Sequence, residues 1–241
     1  MKSAGYYELR RALTEPGCPF CRLQNHHADR LIDTVLWELV LDGETRQELN
    51  QARGYCREHA WLLVRHGASL GVAILMLDVL ETVLKVLEEG NFATQPAALA
   101  QLWPARRQGQ PNGATADLVT SLSPQSPCPV CASLQTSQDY YLSALLKHLA
   151  GPDELASLYR RSDGLCLPHF RLALSRVSNA ETFEHLVEAQ RTVWQRLRSE
   201  LGEFIRKNDF NVKEDFGVEG NSWLRAIEAI SGAPPAKIKQ K

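Results

Sequence analysis

Apolar residues recur three and four positions apart along most of the chain, with charged and amide residues between them. That period predicts amphipathic helices nearly throughout. The opening stretch, MKSAGYYELRRAL, reads as one such helix. A second is expected from the C-P-x-C at Cys18 to about Leu41, where Asp42-Gly43 ends it, and a short helix follows. Arg53-Gly54 then turns the chain into a helix ending near His66-Gly67, and a long one runs from Leu70 to Glu89. The series recurs downstream: a helix from Cys128 to about Ala150 stopped by Gly151-Pro152, a short helix, and a turn at Asp163-Gly164. It closes with a helix ending near Arg176 and a long one over Ala180 to Lys207. Ser178 and Glu181 have the spacing of a capping box for the last.

The recurrence is an internal duplication at a constant offset of 110 positions. Pro19, Asp29, Glu44, Gly54 and Leu62 match Pro129, Asp139, Glu154, Gly164 and Leu172. Ala73, Met76, Leu77, Val83, Leu84 and Leu87 fall on Phe183, Leu186, Val187, Val193, Trp194 and Leu197, which predicts a shared core stripe. Leu80 falls on Gln190, a mismatch. Strand patterns are nearly absent. The fold class expected is all-α: two tandem, diverged helical units packed as a bundle. Residues 1–90 form the first unit, 91–127 a linker, 128–208 the second unit, 209–232 a polar segment with a short helix, and 233–241 a disordered tail. Within the linker, Leu99, Leu102 and Trp103 suit a short packed turn.

The strongest chemical signal lies in the same duplication. Each copy carries C-P-x-C, then 34 residues, then C-x-x-H, and together they use all six cysteines. Read in order, Cys18, Cys21, Cys56 and His59 form one quartet, and Cys128, Cys131, Cys166 and His169 the other. Cys3His is a complete ligand set for a tetrahedral ion, and four protein ligands close the site against substrate. Cysteine and histidine three apart on a first helical turn share a face. Helix N-termini also favour the roughly −1 charge of three thiolates and an imidazole on Zn2+. Two structural Zn2+ per chain are therefore expected. The alternatives are a pair of iron–sulfur clusters in a redox or sensor protein and thiol redox chemistry without metal.

Composition changes this little. The chain has 241 residues, 44% apolar and 23% charged, with a formal net charge of −1. That is enough chain to bury a core, and the balance argues against binding nucleic acid by charge. No apolar leader precedes the first helix, and Asp78, Glu81 and Lys85 interrupt the most apolar stretch, so a cytoplasmic protein without a membrane span is expected. No phosphate loop, nucleophile elbow or paired catalytic carboxylates occur, and no enzymatic activity is expected.

The remaining features have structural readings. His26 and His27 align with Thr136 and Ser137 and are not expected to be ligands; His66, His148 and His185 suit helix surfaces or caps. Trp37, Trp61, Trp194 and Trp223 fall on apolar faces and are expected in the core, and Arg106-Arg107 reads as solvated. Ser222 is the expected cap of a helix over Trp223 to Ile230, whose apolar side would dock on the bundle or on a partner.

The doubled C-P-x-C and G-x-C-x-x-H, with the downstream F-I-R-K-N-D and S-W-L-R-A-I-E segments, resembles a bacterial family known only as a domain of unknown function. The resemblance spans Cys18 to Gly232. It implies the architecture and adds Lys207, Asp209, Ser222 and Trp223 as positions of interest, without a reaction or substrate. The function expected is a metal-binding helical scaffold or adaptor with a protein partner.

Overall fold

The computed structural model describes residues 2–89, 113–149 and 155–235. Among them there are eleven α-helices and no strand. In chain order these are α1 (Ala4–Ala12), α2 (Pro19–Trp37), α3 (Gly43–Gln51), α4 (Arg57–Ala60), α5 (Ser69–Glu89) and α6 (Gly113–Leu122). Then follow α7 (Pro129–Leu149), α8 (Leu155–Arg161), α9 (Leu167–Ser175), α10 (Ala180–Lys207) and α11 (Ser222–Ser231). Single 3-10 turns, Trp61–Leu63 and Val218–Asn221, precede α5 and α11.

Short polar side chains start several helices by accepting an unpaired backbone N–H. Ser3 serves Tyr6 at 3.4 Å, Asp42 serves Thr45 at 2.8 Å and Asn179 serves Thr182 at 2.8 Å. The cap of α10 is thus Asn179 and not Ser178. Asn221 occupies the cap position of α11, with Ser222 as its first helical residue. Cys56 and Cys166 stand at the caps of α4 and α9 in extended backbone, and neither side chain caps the helix. Their sulfurs have another use.

The compact units of the fold are not the two sequence repeats. The described residues up to Asp29 and from Ser133 onward form one unit, and Arg30–Ala132 form the other, with the divisions falling inside α2 and α7. In the first, Tyr6, Leu9, Phe20, Leu142, Leu145, Leu155, Tyr159 and Leu186 are buried in one cluster. In the second, Val35, Leu49, Leu75 and Val79 form a smaller core, beside which Arg46 pairs with Asp78 at 3.0 Å.

Several expectations on burial change. On α5 the buried face is Leu75 and Val79, whereas Leu77, Leu80, Leu84 and Leu87 are exposed. On α10 Leu186 and Val193 are buried as expected, but Phe183 is exposed. Trp37, Trp61 and Trp223 are also exposed, whereas Trp194 packs edge-on to Phe170 at 5.3 Å. Helix α11 packs against α9 and α10, as expected, but Trp223, Leu224, Ile227 and Ile230 each stay about half exposed, so its apolar side is only partly covered. Linker residues Leu99, Leu102, Trp103, Arg106 and Arg107, the stop at Gly151-Pro152 and the last six residues lie outside the described residues. Of the tail expected to be disordered, Ala233 and Pro234 are held: Asn25 Nδ2 donates to the Pro234 carbonyl at 3.0 Å.

Candidate metal centres

All eight expected ligands come together in two groups of four, but not in the order expected. Cys18 and Cys21 meet Cys166 and His169 (centre A), and Cys128 and Cys131 meet Cys56 and His59 (centre B). Each C-P-x-C is completed by the C-x-x-H of the other repeat. Helix lengths do not impose this pairing: at 1.5 Å per residue α2 carries the chain about 24 Å beyond Cys21 and α3 spans about 14 Å, and the non-helical residues between them could cover the difference. Contacts that join one repeat to the other beside the ligands set it.

Centre A lies within the first unit. His169 Nδ1 stands 3.5 Å from Cys18 Sγ, 3.4 Å from Cys21 Sγ and 3.0 Å from Cys166 Sγ, and Cys21 and Cys166 are 3.7 Å apart. Centre B lies within the second. There His59 Nδ1 stands 3.2 Å from Cys56, 3.7 Å from Cys128 and 3.3 Å from Cys131, with 3.7 Å between Cys56 and Cys131. In each centre the four ligand atoms lie within 4.8 Å of one another. A tetrahedral zinc ion has sulfur–sulfur edges of about 3.8 Å and sulfur–nitrogen edges of about 3.5 Å, from its usual bond lengths. The donor sets fit a single ion in both places.

Backbone contacts bring the ligand segments into register. At centre A, Gly17 N–H donates to Asp163 Oδ2 at 2.7 Å, tying the approach to Cys18 to the turn before Cys166. At centre B, Gln125 N–H donates to the Gln51 carbonyl at 2.8 Å and Arg53 Nη2 donates to the Ser121 carbonyl at 2.7 Å. Arg53 itself holds a left-handed conformation, φ 54°.

The centres differ in their surroundings. At centre A, His169 Nε2 lies 3.2 Å from Gln24 Oε1, which leaves Nδ1 free as a ligand. The Ala233 N–H donates to Cys21 Sγ at 3.4 Å, and a Cβ at Gly232 would lie 3.5 Å from the same sulfur. Cys18, Cys21, Cys166 and His169 are all buried. At centre B, Cys56 and Cys131 are only half-buried. Leu134 stands where the repeat would place a counterpart of Gln24 and offers no acceptor.

Proton occupancy follows from this crowding. Burial, then the neighbouring Cys166 and Cys21 thiols, pushes Cys18 well above the usual thiol range. Hydrogen bonds from Cys166 and Cys18 hold Cys21 far below it. Burial acts against a charge on His169, but the sulfurs of Cys166 and Cys21 outweigh it and raise the imidazole to about 9. At centre B, burial and then Cys56 push Cys131 up to about 12. Without an ion, then, the clusters retain protons that a cation would displace.

Three residues that sequence reasoning passed over position these ligands: Gln190, Tyr159 and Asp163. Gln190 had left a trace as the polar residue aligned with Leu80. The expected non-ligand histidines hold other contacts or none at the centres: His27 Nε2 lies 2.7 Å from Ser133 Oγ, His148 packs on the Tyr6 ring at 4.8 Å, and His26, His66 and His185 are exposed. Of the downstream positions, Lys207 pairs with buried Glu219 at 2.7 Å, and Asp209 accepts from Asn211 N–H at 2.8 Å. Ser222 is fully buried, while Trp223 is exposed.

No helix among the described residues is long and apolar enough to cross a membrane. Comparisons with curated proteins and with solved structures found no match. The model of a family of unknown function, DUF6062, matches residues 11–237, and the chain belongs to that family.

Proposed function

We propose that this protein is a helical scaffold or adaptor whose two centres each hold one structural Zn2+. The observation that carries the reading is the spacing of the donors: three sulfurs and one nitrogen, set at the edges of a tetrahedron around one ion, in both centres. With all four positions supplied by protein, no position is left for a substrate or an activated water. The spacing also suits a mononuclear ion better than an iron–sulfur cluster, which places several ions between its ligands. Crossing the repeats gives the ions a mechanical task, since each joins helix starts that are far apart in the chain.

The same reading assigns a protein partner to the exposed apolar faces. Leu77, Leu80, Leu84 and Leu87 line one side of α5, and Trp223, Leu224, Ile227 and Ile230 one side of α11. Apolar stripes of this kind are the usual anchors of helix-mediated contacts. The near-neutral charge favours a protein over nucleic acid.

Elemental analysis with a visible spectrum, on protein purified without oxygen, tests the metal. Two zinc per chain and no colour are expected. Iron with broad visible absorption would replace the scaffold with the redox or sensor reading.

A further inference from the structure

We propose that centre B is an oxidant-reactive site: peroxide closes Cys56 and Cys131 into a disulfide and expels the ion there, while centre A keeps its own. This rests on the zinc reading above and goes further, because it gives the two centres different chemistry.

The first observation is access. At centre A the three cysteines are 5%, 8% and 1% exposed (Cys18, Cys21 and Cys166), and His169 is 8% exposed. The chain at Gly232–Ala233 lies directly on the Cys21 sulfur. At centre B Cys128 and His59 are equally enclosed, but Cys56 and Cys131 both reach solvent. The second observation is pairing. The two accessible sulfurs are neighbours, 3.7 Å apart, and neither is locked in helix-interior backbone. Cys56 is the cap residue of α4, and Cys131 lies in the first turn of α7. A disulfide needs the sulfurs to close to about 2.05 Å, which side-chain rotation at a cap position can supply.

The chemistry balances with peroxide as oxidant. A Cys56 or Cys131 thiolate attacks one peroxide oxygen; the S–O bond forms, the O–O bond breaks and hydroxide leaves. The second thiolate attacks the sulfenic sulfur; the S–S bond forms, the S–O bond breaks and a second hydroxide leaves. Two thiolates are oxidised by two electrons, peroxide is reduced, and two protons from solvent convert the hydroxides to water. Cys128 and His59 alone then remain at centre B, half of a closed ligand set.

The test uses the full zinc-loaded chain. Hydrogen peroxide is added stepwise, zinc release is followed with a chromophoric chelator, and cross-linked peptides are mapped without reduction. One of the two ions is expected to leave together with a Cys56–Cys131 cross-linked peptide, with Cys18, Cys21 and Cys166 still free thiols. A thiol reductant with added zinc should restore the second ion. Simultaneous release of both ions, earlier oxidation at centre A, or release without that cross-link would overturn the proposal. A preparation that holds no zinc before peroxide is added instead fails the reading under Proposed function. The peptide map on that same preparation still reports which thiols react first.

Discussion

Gln190 holds both hydrogen-bonding groups of the Leu165 backbone: its Oε1 accepts the Leu165 N–H at 3.1 Å, and its Nε2 donates to the Leu165 carbonyl at 3.0 Å. Tyr159 adds its hydroxyl to the same Oε1, and all of these groups are buried. Leu165 immediately precedes Cys166, so this amide sets the entry of the C-x-x-H into centre A. Gly164, at φ 64°, lets the turn pass close to it; a Cβ there would sit 3.1 Å from Gln190 Oε1. Replacing Gln190 by leucine, the residue at the matching position of the first repeat, leaves the buried Leu165 C=O without this partner and the Leu165 N–H with only the Tyr159 hydroxyl at 3.3 Å. A loss of about 1–3 kcal/mol is expected, the usual cost of one orphaned buried group. Urea denaturation of the zinc-loaded protein measures it, and an unchanged midpoint would remove the clamp from the account.

The crossed pairing separates two double variants. Cys21→Ser with Cys166→Ser damages centre A alone, so one full ligand set survives and one zinc should remain. Cys21→Ser with Cys56→Ser damages both centres, and no complete set survives. Pairing within each repeat predicts the reverse ranking, so elemental analysis of the two proteins decides between them.

Gly232 is placed for centre A by its backbone. It holds φ 88° and ψ 163°, a region essentially confined to glycine and costing other residues about 1–3 kcal/mol, and delivers the Ala233 N–H to Cys21. Gly232→Val should therefore shift that N–H away from the sulfur and speed removal of the centre A ion by a chelator. Removal from centre B should keep its wild-type rate. Equal acceleration at both centres would point to general loosening instead.

Glu219 provides a pH test away from the centres. The Gly217 N–H, then the Lys207 ammonium, lower its carboxyl to about 2. A depressed carboxylate contributes stability that is fully present above its unfolded value of about 4.3 and is lost as pH falls towards the folded value. Glu219→Gln should thus be less stable than wild type near neutrality, and the gap should narrow between pH 4.5 and pH 2. Chemical denaturation of both proteins in parallel reads that gap, because acid effects common to both, release of metal included, cancel. A gap that stayed constant or widened on acidification would contradict the assignment.

Loading should also be coupled to protons. Cys18 and Cys131 are held protonated chiefly by burial, and His169 carries a proton up to about 9. An incoming Zn2+ must displace these protons, so proton release on zinc addition to the stripped protein is expected in a weakly buffered titration, with affinity falling as pH falls.

Much was legible along the chain, because helices and ligand types are local properties. The 3.6-residue period marked α5 to within one residue and α10 at both ends, and C-P-x-C with C-x-x-H marked all eight candidate ligands. Burial was less legible. The leucines of α5 have the spacing of a core stripe, yet Leu77, Leu84 and Leu87 face solvent, since periodicity shows that a helix has an apolar side but not what covers it. The pairing of ligands was the least local property of all. Both repeats offer the same donors at the same spacing, so composition and periodicity fit the crossed and the uncrossed arrangements equally well. Tertiary structure decided it, through contacts beside the ligands that join one repeat to the other: the Gly17 N–H with Asp163 at centre A, and the Gln125 N–H with the Gln51 carbonyl at centre B.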